Sequence, residues 1–419
     1  MIKLVLSLLV LAGVAGAAAK TVTNPNYLED TFTLYALDAQ VRQKYNNASE
    51  YFAELYKETS KKEYLYQSLR MLEQAGDTKT LAKKTASALA KFPDDVTLKR
   101  FEIIGLLKGG SFGEASQKGL LLSNKTQKAS DYLLYGEARL KLGDYQGTVD
   151  ALKKAYAQTY DDTTAERIAL IEYTQLGEKP EAIMFLKEHI SAHGNSKIVG
   201  KRLASLYADS GKFDEAAQMY EQTYDIDSDP VVAQEAVKIY AYQQDLSKMS
   251  TMLEKSHIND PLLLDIYVRT KLFDKASPLA QKLYEHDGNP LYLAQSSVYM
   301  YEAAKNKDDK VMIDSVVDGL KKATKDLDDP LYLNYLGYLM IDHDLNITEG
   351  MEYVKRALEK QPDSPFYIDS LAWGNYKLGE CAEALRLMKQ VESMIGTEED
   401  EVKDHIKAIE ACKPKEKNK

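Results

Sequence analysis

The sequence predicts an all-α protein, an α-solenoid of about eleven stacked helical hairpins with a C-terminal capping helix. Three observations support this fold class. Apolar residues recur three and four positions apart, which is the spacing of one face of a helix. Short turns, most of them containing glycine, interrupt this pattern. The interruptions recur at a nearly constant interval along the 419 residues.

One complete turn lies in the stretch Leu206–Tyr220, LYADSGKFDEAAQMY. Apolar residues stand at helical spacing on both sides of it, namely Leu203, Leu206 and Tyr207 before it and Phe213, Ala216, Ala217 and Tyr220 after it. Gly211 ends the first helix because glycine enters the left-handed conformation without steric cost. The stretch therefore predicts an antiparallel helical hairpin.

The same break recurs along the chain. It is carried by five glycines in succession, Gly76, Gly110, Gly143, Gly177 and Gly211, at intervals of 34, 33, 34 and 34 residues. Asp245 continues the series after another 34 residues, and Gly379 marks the last clear member. A hairpin of this length cannot bury its own apolar face and must stack on its neighbours, so a constant period predicts a solenoid.

The first hairpin is expected to pair residues 28–42 with residues 46–59. Two places break the rhythm. Between Asp245 and Lys271 the interval falls to 26 residues, which predicts a helix pair about two turns short. Between Asn306 and Asp344 it lengthens to 38 residues, and the sequence KNKDDK there predicts a charged loop.

The segment from Leu333 to Met388 resembles the tetratricopeptide repeat family, whose signature is Leu-Gly in the first helix, Ala and an aromatic residue in the second, and Pro at its end. The matching residues are Leu336, Gly337, Tyr353, Ala357 and Pro362, followed by Gly379, Ala384 and Leu385 in the next unit. Elsewhere the signature is degenerate, as at Lys179, where an aromatic residue is usual. The resemblance covers nearly all of residues 28–395, by period more than by motif.

The N-terminal residues have the three-part pattern of a secretory signal. Lys3 precedes an apolar run from Leu4 to about Val14, and Ala17-Ala18-Ala19 offers a cleavage site before Lys20. An uncleaved anchor is the alternative, although the run is shorter than the ~20 residues that a membrane span needs. With no cysteine near the cleavage site, we expect a soluble bacterial periplasmic protein, not a lipoprotein, with no transmembrane segment in the mature chain.

This interpretation divides the chain into a signal peptide (residues 1–19), the solenoid (20–396), a capping helix (397–412) and a basic tail (413–419). The composition, 44% hydrophobic and 28% charged, is ordinary for a folded protein. The formal net charge of −10 argues against a nucleic-acid partner, because phosphate binding needs a positive surface.

The chain has two cysteines, Cys381 and Cys412. Their midpoint falls at Gly396-Thr397, where a turn between the last hairpin and the capping helix is expected. Residues equidistant from such a turn lie side by side, so the spacing predicts a disulfide bond in an oxidising compartment. Two thiols that do not pair are the alternative.

His189 and His193 are the strongest candidates for chemistry, because at i and i+4 they share a helix face and are spaced to hold a zinc ion. Ile190 stands where a metalloprotease needs glutamate, and no third ligand is evident nearby. The alternative is two partly exposed histidines near a helix end, where the helix dipole favours their charged form. No phosphate loop, nucleophile elbow or cysteine cluster is present. The sequence therefore predicts a protein that is not an enzyme and needs no cofactor or metal.

Asn346 lies in DLNIT, residues 344–348, which contains an Asn-x-Thr acceptor and an acidic residue two positions before the asparagine. This pattern resembles the extended sequon of bacterial N-glycosylation. Chance is the alternative, because asparagine is common in turns and shorter matches occur elsewhere in the chain.

A binding groove is predicted on the first helices of the last two hairpins. Aligning these helices by Leu336 and Leu371 places seven residues where the resemblance implies a groove-facing surface: Asn334, Tyr335, Tyr338, Ile341, Asp369, Trp373 and Tyr376. The aromatic rings are suited to anchor an interface, and the two polar residues to hold a ligand backbone. The alternative is that the rings pack between repeats.

The resemblance implies a non-enzymatic scaffold of the cell envelope that binds a partner protein or peptide in its groove. A structural subunit of an envelope secretion, polymer-export or motility assembly is a second hypothesis. An envelope enzyme or zinc protein using His189 and His193 is a third. The sequence does not choose among partners.

Overall fold

A computed structural model of the protein describes residues 25–396 and 400–412. Throughout these two ranges the regular secondary structure is helical, which confirms the predicted all-α class. The predicted signal sequence and the basic tail lie outside the described residues. Contacts between residues divide the chain into two units, which meet in sequence at Lys212 and Phe213, and each is described by itself.

Unit 1 consists of helices that pack on their sequence neighbours as successive hairpins. They are α1 (Pro25–Val41), α2 (Tyr45–Thr59), α3 (Lys62–Ala75), α4 (Thr78–Lys91), α5 (Val96–Lys108), α6 (Phe112–Thr126), α7 (Ala129–Lys141), α8 (Tyr145–Thr159), α9 (Asp162–Ile171), α10 (Lys179–His193) and α11 (Lys197–Asp209).

Unit 2 has the same construction. Its helices are α12 (Phe213–Asp227), α13 (Pro230–Gln243), α14 (Leu246–Ser256), α15 (Asp260–Arg269), α16 (Phe273–Asp287), α17 (Pro290–Ala303), α18 (Lys310–Ala323), α19 (Pro330–Asp342), α20 (Ile347–Lys360), α21 (Pro365–Leu378), α22 (Cys381–Ile395) and α23 (Asp400–Glu410). The described residues contain 22 α-helices before α23, the number that the eleven predicted pairs require. Odd-numbered members of these pairs are called first helices below.

The predicted glycine breaks are present. Gly211 has a φ of 74°, and its neighbour Lys212 closes the turn by donating its backbone N–H to the carbonyl of Tyr207. Asp245 is different, because the left-handed position is taken by Gln244, with a φ of 57°. The Asp245 side chain instead caps α14 by accepting the N–H of Lys248. The period is thus kept at Asp245 by a different turn residue.

Three segments depart from the regular length of the repeat. A π-helical turn, Glu172–Leu176, follows α9 and absorbs one extra residue, so Gly177 keeps its place in the series. The predicted short pair is α14 with α15, of 11 and 10 residues. The KNKDDK segment connects α17 to α18.

The close packing of α19 against α20 explains why the repeat signature has glycine at Gly337. A Cβ atom at Gly337 of α19 would lie 2.5 Å from the carbonyl oxygen of Gly350 in α20, and a Cβ at Gly350 would lie 2.7 Å from that of Gly337. The two helices therefore touch backbone to backbone. Ile341, Met351 and Val354 fill the apolar core beside this contact.

Three of the first helices in unit 2, α13, α17 and α19, share a start signal. An Asp or Asn side chain accepts the N–H two residues ahead, and proline follows at the first helical position, where its missing N–H costs nothing. The three examples are Asp229-Pro230 of α13, Asn289-Pro290 of α17 and Asp329-Pro330 of α19. Each of the described helices falls short of the length and apolarity that a bilayer span requires.

Candidate functional site

The candidate site lies on α19 and α21, the first helices of the last two hairpins, which pack against each other. Six of the predicted groove residues on them divide into three groups. Some are covered by α23, some are buried elsewhere in the repeat, and one lines an open groove. The seventh, Tyr376, is partly buried against the apolar cluster that includes Val402 and Ile409 of α23.

The covered group lies beneath α23 and is called the covered face: Tyr338, Asp369 and Trp373. The ring of His405 in α23 stacks on Trp373, with centroids 4.1 Å apart and planes 15° apart. The same ring places Nδ1 3.0 Å from Oδ2 of Asp369. Tyr338 donates its hydroxyl to a carboxylate oxygen of Glu401. The capping helix therefore contacts the residues expected to contact a partner.

Trp373 has further contacts on its own helix and on α19. Its Nε1 donates to Oδ1 of Asp342 at 3.0 Å, and its ring stacks on Tyr376 with centroids 4.8 Å apart. The ammonium group of Lys377 lies 5.6 Å from the indole centroid. These contacts fix the orientation of the indole against α21.

Two of the predicted residues belong to the repeat interior. Ile341 is fully buried in the α19–α20 core, so it does not face a groove. Tyr335 turns toward the preceding repeat, where its hydroxyl donates to Glu302 at 2.7 Å and its ring meets Tyr301 edge on. For these two positions, packing between repeats is the correct interpretation.

Burial is the main cause of the altered tyrosine acidity at the site. Burial and the bond to Glu401 raise the pKa of Tyr338, and burial and the bond to Glu302 raise that of Tyr335. Burial also raises the pKa of Tyr301 to about 12. The hydroxyls of Tyr338 and Tyr335 therefore remain protonated donors to Glu401 and Glu302 well above neutral pH.

Asn334 lines an open groove of about 610 Å³, which is formed by Leu331, Asn334 and residues 361–367. Leu331 and Phe366 are 56% and 59% exposed there. The Oδ1 atom of Asn334 is buried and accepts no hydrogen bond from any described residue. Asn334 and Tyr338 lie four residues apart on α19, so this open groove continues the covered face along the same side of the helix.

The two cysteines lie at the ends of the last two helices. Cys381 begins α22 and Cys412 follows α23, with Cα atoms 5.6 Å and Sγ atoms 2.06 Å apart. This is the geometry of a disulfide bond. It would tie the C-terminal end of α23 to α22. Formation of the bond in the cell stays a prediction.

The histidine pair has contacts that oppose metal binding. His189 is buried, its Nδ1 lies 2.7 Å from the Tyr156 hydroxyl, and its Nε2 lies 2.9 Å from Oδ1 of Asp162. Both ring nitrogens are therefore engaged. His193 stacks on Tyr160, with centroids 4.5 Å apart. The described residues contain no group of three or more potential ligands that converge on one point.

Asn346 is exposed and is the N-cap of α20. Its Oδ1 accepts the N–H of Glu349, and its Nδ2 donates to the Glu349 carboxylate at 3.1 Å. The side chain therefore already has a structural role as a cap. Its glycosylation stays a prediction.

Sequence reasoning missed Glu401 and His405, because their partners lie 63 and 36 residues away in the chain. Their i, i+4 spacing was a usable signal that they share one face. Leu331 and Phe366 were also missed, although each is an apolar residue directly after a helix-starting proline.

First helices in unit 1 are joined by ion pairs. Arg100 of α5 makes two bonds to Asp131 of α7, Nε to Oδ1 at 2.6 Å and Nη2 to Oδ2 at 2.9 Å. Two further pairs follow the same pattern, Arg167 of α9 with Glu137 of α7 and Arg202 of α11 with Glu166 of α9. The guanidinium groups thus bind carboxylates of the neighbouring repeat.

Asp131 is fully buried, which by itself would raise its pKa. The bonds from Arg100 and from the Thr126 hydroxyl outweigh the burial and hold the pKa of this carboxyl below its usual range. The Arg100–Asp131 pair is therefore charged and well partnered.

No protein-family model matches the chain. A TPR repeat-containing protein from Pseudomonas aeruginosa is 36% identical over 63 residues, which cover 15% of this chain and 11% of that protein. The match thus spans about a tenth of the curated relative's length. It confirms the predicted resemblance to the tetratricopeptide repeat family.

Two solved structures illustrate the similarity of the chain to known structures. The Cut9–Hcn1 hetero-tetramer of the APC/C matches with a TM-score of 0.39 and 11% identity, over 92% of this chain and 98% of the other. PilF of Pseudomonas aeruginosa matches with a TM-score of 0.38 and 15% identity, over 50% of this chain and 97% of the other. The fold assignment to a tetratricopeptide-like solenoid rests on the helix pairs described above.

Proposed function

We propose that this tetratricopeptide-like solenoid is a non-enzymatic scaffold that binds an extended segment of a partner protein in the open groove of unit 2. The observation that supports this most directly is the open groove bordered by Leu331 and Phe366, two apolar side chains with more than half of their surface exposed.

An unpartnered acceptor has a cost that a ligand would remove. A buried polar atom without a hydrogen bond destabilises a protein by about 1–3 kcal/mol. Oδ1 of Asn334 has almost no surface exposed to water, so the side chain must rotate before a peptide backbone N–H donates to it. Backbone recognition of this kind holds a segment in register and places few demands on its sequence.

Leu331 and Phe366 supply the apolar part of the proposed interface. Both are large side chains with more than half of their surface exposed, and both border the same groove. Exposed apolar side chains around a concavity are typical of protein-binding sites. One or two apolar side chains of the partner segment would cover them.

We place this scaffold in the cell envelope as a periplasmic protein. The support comes from the signal-like residues 1–19 and from the paired cysteines, which suit an oxidising compartment. Neither feature identifies the envelope process or the partner.

The test is site-specific photo-cross-linking in intact cells of the source organism. A photoreactive residue at position 366 is expected to cross-link one partner, which mass spectrometry then identifies. The matched control is position 311, because Val311 is an apolar residue 80% exposed at the start of α18, outside the groove. Equal capture at both positions would contradict a specific site.

Affinity for the captured partner provides the second measurement. The double variant Leu331→Ala and Phe366→Ala is expected to lose roughly tenfold or more in affinity. Its melting temperature should stay nearly unchanged, since both side chains are already exposed to water. A large drop in melting temperature without a change in affinity would mean that these residues serve packing only.

A further inference from the structure

Helix α23 packs on the covered face, where its side chains contact Tyr338, Asp369 and Trp373. Its buried side chains are Val402, His405 and Ile409, spaced as one stripe of an amphipathic helix. With 11 residues, α23 is shorter than helices that are stable by themselves in water. Its helical state therefore depends on the surface beneath it.

We propose that α23 is a removable occupant of a helix-binding face, and that the Cys381–Cys412 bond decides whether a partner helix can replace it. This inference rests on the proposed function, because it extends the open groove along the same two helices. The proposal adds a helix as a second kind of partner segment. It also names the Cys381–Cys412 bond as the feature that controls access to the covered face.

The face selects a particular pattern in its occupant. Tyr338 donates a hydroxyl to a carboxylate, which Glu401 supplies. Asp369, 7% exposed, accepts from a ring N–H, and Trp373 stacks on that ring, which His405 supplies. A competing helix would therefore carry an acidic residue and, four positions later, a ring with an N–H donor, flanked by apolar residues.

The state of the cysteine pair determines how strongly α23 competes with such a helix for the covered face. With the bond closed, α23 is attached at both ends, by residues 397–399 to α22 and by Cys412 to Cys381. With the bond open, one attachment remains and the local concentration of α23 at the face falls. Both cysteines are partly exposed, so a small reductant has access to them.

Opening the bond follows ordinary thiol–disulfide exchange. A dithiol reductant supplies two electrons and two protons, so that Cys381 and Cys412 each become a thiol, while the two reductant sulfurs join as a disulfide. An oxidant of the compartment reverses the step by accepting the two electrons. No other bond in the chain changes.

Hydrogen exchange of the full-length protein tests the first half of the proposal. The amides of residues 400–410 should exchange roughly tenfold faster in Cys381→Ser/Cys412→Ser, and in wild type after dithiothreitol, than in the oxidised protein. The amides of α19 and α21 serve as the internal control and should keep their protection. Unchanged protection of residues 400–410 without the bond would overturn the proposal.

A peptide of residues 398–411 tests the second half. Trp373 is the only tryptophan, so its emission reports on this face. The peptide should change that emission saturably in the full-length triple variant Cys381→Ser/Cys412→Ser/His405→Ala, and bind it roughly tenfold more tightly than oxidised wild type. A control peptide with Glu401→Ala and His405→Ala should bind roughly tenfold more weakly. Equal affinity of the two peptides, or no binding of either, would overturn the selective face.

The two proposals fail separately. If position 366 cross-links a partner while α23 keeps its protection without the bond, the open groove is a binding site and α23 is a permanent part of the fold. If α23 opens and the peptide binds selectively, but position 366 captures no partner, the proposed open groove is wrong while the helix-binding face stands.

Discussion

The described arginine–carboxylate pairs between first helices lie in unit 1, whereas tyrosine–carboxylate bonds between first helices occur in both units, as from Tyr64 of α3 to Glu29 of α1. In unit 1, guanidinium–carboxylate pairs such as Arg100 with Asp131 connect one repeat to the next. In unit 2, tyrosine hydroxyls and stacked rings make the connections, as between Tyr335 and Glu302. The repeat geometry is the same in both, so the fold does not dictate the chemistry of its surface.

This difference in side-chain contacts indicates which part of the repeat surface a partner can bind. A bidentate arginine–carboxylate pair engages two guanidinium N–H groups and both carboxylate oxygens, and a partner must compete with these bonds to use them. Aromatic rings keep an unused face, and the tyrosine–carboxylate bonds leave apolar surface beside them. The sites proposed above accordingly lie in unit 2.

The largest expected effect concerns the stability that the buried ion pair of unit 1 provides. Arg100→Ala leaves the buried carboxylate of Asp131 without its cation and should lower the free energy of unfolding by roughly 3 kcal/mol. The matched control is Arg42→Ala, whose partner Asp38 is exposed, with an expected change of about 0.3 kcal/mol. Urea unfolding measures both. Equal effects of the two substitutions would show that the buried pair has no special role.

The next effect concerns backbone contact in unit 2. Gly337→Ala forces a Cβ atom into the Gly350 carbonyl and should destabilise by about 2–3 kcal/mol. Gly113→Ala in α6 of unit 1 is the control, because a Cβ there meets no described heavy atom within 4 Å and helical alanine is favoured by up to about 1 kcal/mol. Thermal unfolding should therefore shift in opposite directions. A neutral Gly337→Ala would contradict the backbone contact.

The pH dependence should differ between the two sets of contacts. Because the pKa of Asp131 is lowered in the folded state, its stabilisation is complete above its unfolded pKa of about 3.9 and is lost as the pH falls through the folded value. Because the pKa of Tyr338 is raised, its contribution is complete below about pH 10 and falls as the pH rises above that value.

Unfolding measured across acid and alkaline pH checks this contrast. Asp131→Asn should flatten the acid limb, and Tyr338→Phe should flatten the alkaline limb. Tyrosinate absorbance adds a direct measure, because Tyr338 should ionise later than exposed tyrosines. If Tyr338→Phe removes a tyrosine that ionises at the ordinary tyrosine pKa, Tyr338 is neither buried nor bonded to Glu401 in solution.

Removing one hydroxyl tests the contacts of α23. Tyr338→Phe deletes the bond to Glu401 and should loosen α23 by about 1 kcal/mol, with faster hydrogen exchange of residues 400–410. Tyr335→Phe deletes a similar bond to Glu302 of α17 and should leave α23 unaffected. An identical response of α23 to both variants would mean that Glu401 does not hold it.

The smallest expected effect is the loss of a helix N-cap, which should cost a similar amount of stability in both units. Asn346→Ala removes the cap of α20, and Ser196→Ala removes that of α11 in unit 1, so each should cost about 1 kcal/mol. Asn346 alone of the two lies in the predicted sequon. An intact mass of the native protein that equals the unmodified mass would reject its glycosylation.

The sequence by itself determined the repeat and its turns. Helical spacing of apolar residues is read within one helix, and a turn glycine such as Gly211 acts through its own backbone, so both signals are local. For the same reason the sequence placed the short pair α14–α15 correctly, whereas Gly337 was identified only as a residue of the family signature. It also identified the two helices, α19 and α21, that carry the candidate site.

Only the tertiary structure decided what covers each residue on those helices. Tyr338 and Ile341 lie three positions apart, yet one faces α23 and the other fills the core with α20. His405 reaches Asp369 across 36 residues, and Asn334 keeps an unpartnered oxygen because no described neighbour reaches it. A periodic pattern states which residues share a face of a helix. It does not state which neighbour packs on that face, because long-range packing follows from the shape and charge of the whole repeat stack.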